Sequence, residues 1–123
     1  MKHNKNFRPW GWHKIIWQIQ DKAWVKIVFV KQGERLSLQS HNNRSEIWLV
    51  VKGLVETRVG EKIHQLGIGR FVNISKKQKH RLTGIKDSYI LEIALGCPKE
   101  EDIIRYEDDY GRANSQEQSQ SQN

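Results

Sequence analysis

The sequence predicts a single all-β domain, a small antiparallel sandwich or barrel, and three observations predict it. Turn signals recur about every eight to twelve residues, at Gln32-Gly33-Glu34, Asn42-Asn43, Gly60-Glu61 and Gly67-Ile68-Gly69 among others. The segments between them are short, rich in β-branched and aromatic residues, and mostly alternate in polarity. Neither an internal repeat nor an amphipathic helix of ordinary length occurs before residue 98. A chain of 123 residues holds one such domain with a modest core.

Residues 1–6 are polar and expected to be flexible, which puts the start of the domain at residue 7. Arg8-Pro9-Trp10-Gly11-Trp12 reads as a turn whose two tryptophans plug one end of a barrel. Arg8 reaches a bound phosphate only if that plug lies at the mouth. Strands are expected over 13–20 and 23–31, separated by Gln20-Asp21-Lys22. In the second of them Trp24, Lys26, Val28 and Val30 alternate with Val25, Ile27 and Phe29, so one face is mostly apolar and the other wholly so. Such a strand is covered on both sides or forms a contact between two copies. Further strands are expected over 35–40, 46–52 and 54–59, with Gly53 as a turn or bulge between the last two. Gly60-Glu61 makes a tight hairpin into 62–66, and the remaining strands fall at 70–74, 80–83 and 88–95. Pro98 can open a short helix, and Lys99-Glu100-Glu101-Asp102 sets acidic groups near its positive end, so a short C-terminal helix or turn is expected around Ile103 and Ile104. The Ser-, Gln- and Asn-rich stretch 113–123 reads as a disordered tail, leaving the domain at 7–112.

The chemistry is concentrated between Gly33 and Gly53. In an extended strand alternate side chains share a face, so Gln39 and His41 point the same way. Glu46 follows the polar turn Asn42-Asn43-Arg44-Ser45 and opens the apolar run Ile47 to Val51. An imidazole and a carboxylate on one inner wall are two ligands of a divalent metal, with the amide oxygen of Gln39 a weaker third. Later, the short strand 70–74 enters a basic turn that delivers His80. Lone histidines are usually structural, and His3, His13 and His64 receive no role.

The order G-x5-Q-x-H-x4-E-x6-G from Gly33 to Gly53, followed by G-x10-H from Gly69 to His80, resembles the paired motifs of the cupin superfamily. That resemblance implies a double-stranded β-helix, or jelly-roll barrel, and metal ligands Gln39, His41, Glu46 and His80. Ser75, Lys77 and Gly84 stand where the second cupin motif has Pro, Gly and Asn. The segments RPWGW (8–12), GERLSLQSHNNRSEIW (33–48), KHRL (79–82) and EDIIRYEDDYGR (101–112) are similar to one family within it, the type II phosphomannose isomerase domain. This module ends bifunctional mannose-1-phosphate guanylyltransferase/mannose-6-phosphate isomerases and also occurs as a short stand-alone protein, the form expected here. In that family Gln is usual at the position of Gln39.

The resemblance implies a metal-dependent aldose–ketose isomerase acting on mannose 6-phosphate and fructose 6-phosphate. The implied metal is Zn, Mn, Co, Ni or Fe, since the ligand types do not choose among them. Arg44, matching the family's R-x-E, and Arg105 are the candidate catalytic residues. Arg112, with Lys77 and Lys79 of the basic turn, is a candidate for the phosphate. A homodimer and a functional link to a mannose-1-phosphate guanylyltransferase are expected as partners. The family usually reads Q-x-H-H-H-R-x-E-H-W, whereas this chain has Asn42, Asn43 and Ile47 at three of the histidine positions. If those positions face the cavity, the alternative gains: a non-catalytic, metal-binding cupin that binds a sugar or sugar phosphate. If they face away, the isomerase reading stands.

Composition bounds the rest. The net charge is +7, and mean hydropathy is −0.76. The dense cluster Lys76-Lys77-Lys79-His80-Arg81 suits a sugar phosphate, a plain solvated turn or, as a third reading, nucleic acid. Nucleic-acid binding rests on charge alone, because interleaved aromatics on one exposed face are lacking unless Trp10, Trp12 and Trp17 are exposed and supply them. No apolar run approaches the roughly 18 residues of a membrane span. MKHNKNF lacks the apolar core of a secretory signal, and a single cysteine, Cys97, excludes an internal disulfide. A cytoplasmic protein without a membrane partner is expected.

Overall fold

The computed structural model describes residues 4–113 and contains eleven β-strands and no helix among them. They are β1 (Asn6–Arg8), β2 (Gly11–Ile19), β3 (Ala23–Val30), β4 (Leu38–Ser40), β5 (Arg44–Lys52), β6 (Leu54–Val59), β7 (Lys62–Gly67), β8 (Phe71–Ile74), β9 (His80–Gly84), β10 (Ser88–Gly96) and β11 (Ile104–Glu107). One sheet runs β1-β2-β3-β10-β5-β8, the other β11-β4-β9-β6-β7, and every named pairing is antiparallel. The chain crosses between the sheets at β3–β4, β4–β5, β5–β6, β7–β8, β8–β9, β9–β10 and β10–β11, which makes the two-layered jelly roll that the resemblance implies.

The core lies between the layers. From the larger sheet Val28, Val30, Trp48, Val50, Ile74 and Ile90 face inward, and from the smaller Val55, Val59, Leu66 and Leu82, with Trp10 closing one end. Full burial of each such side chain contributes about 1.5–3 kcal/mol. The period-2 pattern decides the registers. In β6, Val55, Thr57 and Val59 are buried, while Glu56 is exposed and Leu54 and Arg58 only half-buried. In β3 the inward set is Trp24, Lys26, Val28 and Val30, so a lysine is placed among core residues. Trp10 belongs to the expected plug; Trp12 instead stacks on Phe29 and meets Tyr89 on the outer face of the larger sheet.

Three elements differ from the sequence reading. Asn6–Arg8 is a strand, held by pairing with Gly11–His13. The strand expected over 35–40 is confined to Leu38–Ser40, with Arg35 making only an isolated bridge to Thr83. The expected helix or turn after Pro98 is a turn followed by a strand. Asp102 N–H donates to Lys99 O in the turn, and Ile104 and Arg105 then pair with Ser40 and Gln39 at the open edge of β4. The β-branched pair Ile103-Ile104 favours that extended course over a helix. The Asp102 carboxylate, expected near the positive end of a helix, instead accepts the N–H groups of Asn42 and Asn43 at 3.0 and 2.8 Å. The proposed tail begins at Ala113; its remaining residues, like residues 1–3, lie outside the described part.

Candidate metal centre and adjoining cavity

Three elements converge at one end of the barrel. Gln39 lies on β4, directly opposite His80 at the start of β9, and His41 follows two residues after Gln39. Glu46 projects inward from β5. The basic turn of 75–79 supports them from outside, since Lys77 N–H donates to His41 O at 2.7 Å with Lys77 at a φ of 67°. Gln39, His41, Glu46 and His80 are all buried.

Hydrogen bonding fixes both imidazole tautomers. His41 Nδ1–H donates to the carbonyl of Asp102 at 2.7 Å and His80 Nδ1–H to the carbonyl of Gln78 at 2.8 Å. Each Nε2 lone pair is therefore available on the inner side, the arrangement in which backbone carbonyls orient metal-binding histidines. Burial, then the Arg44 guanidinium, then His80 push the His41 pKa down to about 3, so the ring is neutral at pH 7.

The donor set fits a divalent ion. His41 Nε2 lies 3.5 Å from Glu46 Oε2, and His80 Nε2 lies 3.7 Å from Glu46 Oε1. One donor atom from each of the three residues falls within 4.8 Å of the others. Donors about 2.1 Å from one metal in a tetrahedral arrangement stand about 3.4 Å apart. His80 Nε2 is also buried without any hydrogen-bond partner, which a protein-only role does not explain. Arg44 complicates this picture. Its Nε donates to Glu46 Oε2 at 2.8 Å and its Nη2 to His41 Nε2 at 3.1 Å, while Trp48 Nε1 donates to Glu46 Oε1 at 3.0 Å.

A cavity of about 320 Å³ opens beside this cluster, with Gln39 and Arg44 in its wall. Arg8, Arg105 and Arg112 also line it, and so do Lys26, Glu92, Glu100 and His13. Arg105 has its pKa lowered by burial and then by Arg112, with Arg8 adding to the effect and Asp108 opposing, so three guanidiniums share one region. Arg112 is held in a bidentate pair with Asp108 at 2.9 and 3.1 Å. On the inner wall Lys26 Nζ donates to Glu100 Oε1 at 2.8 Å and stands 3.9 Å from Glu92 Oε2, which accepts Trp24 Nε1 at 2.9 Å. His13 Nδ1 is buried without a partner.

The sequence-derived candidates thus divide. Gln39, His41, Arg44, Glu46 and His80 come together, and Arg105 and Arg112 join them around the cavity. Lys77 and Lys79 do not: both are exposed on the outer turn, and Lys79 lies over the Tyr106 ring at 4.2 Å. Lys26, Glu92, Glu100 and His13 were missed. The available signal was Lys26 itself, a charge on the otherwise apolar inward face of β3. Asn42 and Asn43 are solvent-exposed, and Ile47 lies on the outer face of β5, so none of the three lines the cavity.

Comparison with known proteins bears on the fold and the family. KdgF from Halomonas sp. superposes with a TM-score of 0.72 at 19% identity, covering 81% of this chain and 92% of that one. Pac13, a nucleoside dehydratase from Streptomyces, gives 0.75 at 13% identity over 86% of each chain. At such identities the likeness concerns the fold, which is cupin-like. The xanthan biosynthesis protein XanB of Xanthomonas campestris pv. campestris is 38% identical over 113 residues, 89% of this chain and 24% of XanB. Mannose-1-phosphate guanylyltransferase of Escherichia coli is 35% identical over 113 residues, 89% of this chain and 23% of that protein. The chain thus spans about a quarter of the length of these curated relatives. Residues 1–108 match the family described as mannose-6-phosphate isomerase, C-terminal, and the chain belongs to that family.

Proposed function

We propose that this chain is a metal-dependent aldose–ketose isomerase that interconverts mannose 6-phosphate and fructose 6-phosphate. The observation that carries the reading is the placement of Asn42, Asn43 and Ile47. The positions at which the chain departs from the family's histidines face away from the cavity, whereas His41, Glu46, His80 and Gln39 face the interior.

His41, Glu46 and His80, with Gln39 beside them, would hold the ion. A bound divalent ion supplies Lewis acidity toward the carbonyl and hydroxyl oxygens at C1 and C2. Arg8, Arg105 and Arg112 supply positive charge for the phosphate at the other side of the cavity. Isomerisation then requires one proton to leave C2 of the aldose and return to C1 of the ketose, while the hydroxyl proton passes from O2 to O1. His13, Glu92 and Glu100 are the wall groups able to hold that carbon-bound proton, and His13 Nδ1 is without a partner.

A second reading, a non-catalytic sugar-phosphate-binding cupin, is favoured by one observation. Both cavity carboxylates are already engaged, Glu92 by Trp24 and Glu100 by Lys26. We further infer a cytoplasmic homodimer that works alongside a mannose-1-phosphate guanylyltransferase, since the relatives join this module to a longer chain. The test is a coupled isomerase assay on protein stripped of metal and reloaded with Zn, Mn, Co, Ni or Fe. Turnover that falls at least 100-fold in the His41→Ala, His80→Ala double variant is expected. Binding of mannose 6-phosphate without turnover under any metal would establish the second reading instead.

A further inference from the structure

We propose that Arg44 is a resident cation of the metal centre, holding the lone pairs of His41 and Glu46 until a divalent ion takes them, and then turning to the anion-binding cavity. The inference rests on the metal-centre reading and assigns the exchange to one side chain.

Arg44 is buried, and its guanidinium donates to His41 Nε2 at 3.1 Å and to Glu46 Oε2 at 2.8 Å. Those are two of the atoms a metal would need. His41 Nε2 has one lone pair, which cannot serve both cations, so binding of the ion requires at least the Nη2 bond to break. The guanidinium against Glu46 is then repelled by the ion. An ordinary buried Arg–Glu pair does not account for the cluster. His80 Nε2 converges on the same point and is left with no partner. Arg44 thus satisfies part of a three-residue donor set built for a more compact ion.

The remaining contacts of Arg44 make release into the cavity the cheap direction. Its Nη1 donates to Lys99 O at 2.7 Å, and its Cζ lies 4.7 Å from the centroid of the Trp24 ring. Neither contact involves a metal ligand, so both can persist as a pivot. Arg44 already forms part of the cavity wall, and Glu100 across it feels the guanidinium charge. Metal loading would therefore add a positive group to the cavity that receives an anionic ligand. The two binding events become coupled in the same direction.

Zinc titration calorimetry on the full chain tests this with wild type, Arg44→Met and Arg44→Lys. Exchange predicts that the Kd for zinc falls at least tenfold in Arg44→Met. It falls by a smaller factor in Arg44→Lys, which keeps the charge but loses the rigid planar fork that holds both groups in Arg44. Unchanged or weaker affinity in both variants, with wild type still binding, overturns the exchange and leaves the metal centre standing. No zinc binding in any of the three proteins removes the metal centre and the exchange with it. A measurement on wild type decides the matter if the variants misfold. The Arg44 Nη2–H signal in the NMR spectrum, bonded to buried His41 Nε2, should lose its protection from solvent exchange on zinc saturation. Its persistence at saturation overturns the proposal.

Discussion

His13 and His41 show what burial does to a titratable ring in this barrel. The His13 pKa is lowered to about 4, first by burial and then by the charge of Lys26, with Arg8 adding to the effect and Glu100 and Glu92 opposing it. In the unfolded chain the ring titrates near 6.5. Between those values the unfolded chain binds a proton that the folded one does not, so stability is fully present above about pH 6.5 and is lost as pH falls toward 4. His41, held at about 3, extends the loss in the same direction, and Asp102, whose pKa is lowered by the N–H groups of Asn42 and Asn43 against burial, adds to it at lower pH. Urea unfolding of the metal-free protein should therefore show a lower midpoint at pH 5 than at pH 7.5. Of that change, up to about 2 kcal/mol is expected from His13. His13→Gln should flatten the dependence by its share; an unaltered pH profile in that variant would contradict the assignment.

At the scale of elements, strands whose pattern is set by one buried face were legible, and those set by a neighbour were not. β3, β6 and β10 follow their alternation closely, because a slip by one residue would expose Val28, Val55 or Ile90. β1 and β11 are edge strands made by pairing, and no periodicity announces them. Turn residues carry the links between elements. Gly53 joins β5 to β6 at a φ of 100°, and a Cβ there would lie 2.2 Å from Ser88 Oγ and 2.6 Å from Asp87 O. Ser88 in turn accepts Leu54 N–H and donates its one hydroxyl proton to Lys86 O at 2.7 Å, with Leu54 O at 3.1 Å, so it cannot simply turn aside. Gly53→Ala should destabilise the protein by about 2–3 kcal/mol, from backbone strain together with the displaced Ser88. Denaturant unfolding measures it, and a change under 0.5 kcal/mol, roughly the scatter of innocuous surface substitutions, would contradict the tight approach.

Across the whole molecule, the grouping of Gln39, His41 and Glu46 was legible because their spacing is short and local. His80, far along the chain, joined them only through the family resemblance, and the cavity was not legible. His13 and Lys26 come from the β2–β3 hairpin and Glu92 and Glu100 from β10 and the turn after it, and the pairing of β3 with β10 brings the two regions together. The phosphate candidates Lys77 and Lys79 lie on an outer turn, away from the cavity, because a dense charge cluster in sequence folded there. The outer face of the larger sheet carries half-buried Val25, Ile27, Phe29, Ile47, Leu49, Tyr89, Leu91 and Ile93, a broad apolar surface for a single domain. Light scattering should give twice the 14.5 kDa chain mass, and a value of 14.5 kDa would contradict the homodimer. The central claim is that an isomerase survives the loss of three family histidines because those positions face away from the cavity. Its most direct test is the mannose 6-phosphate turnover of metal-loaded wild type beside the Asn42→His, Asn43→His, Ile47→His triple variant. The account predicts turnover in wild type within about threefold of the triple variant, a difference of about 0.6 kcal/mol in barrier. Turnover that appears only when the histidines are restored would contradict it.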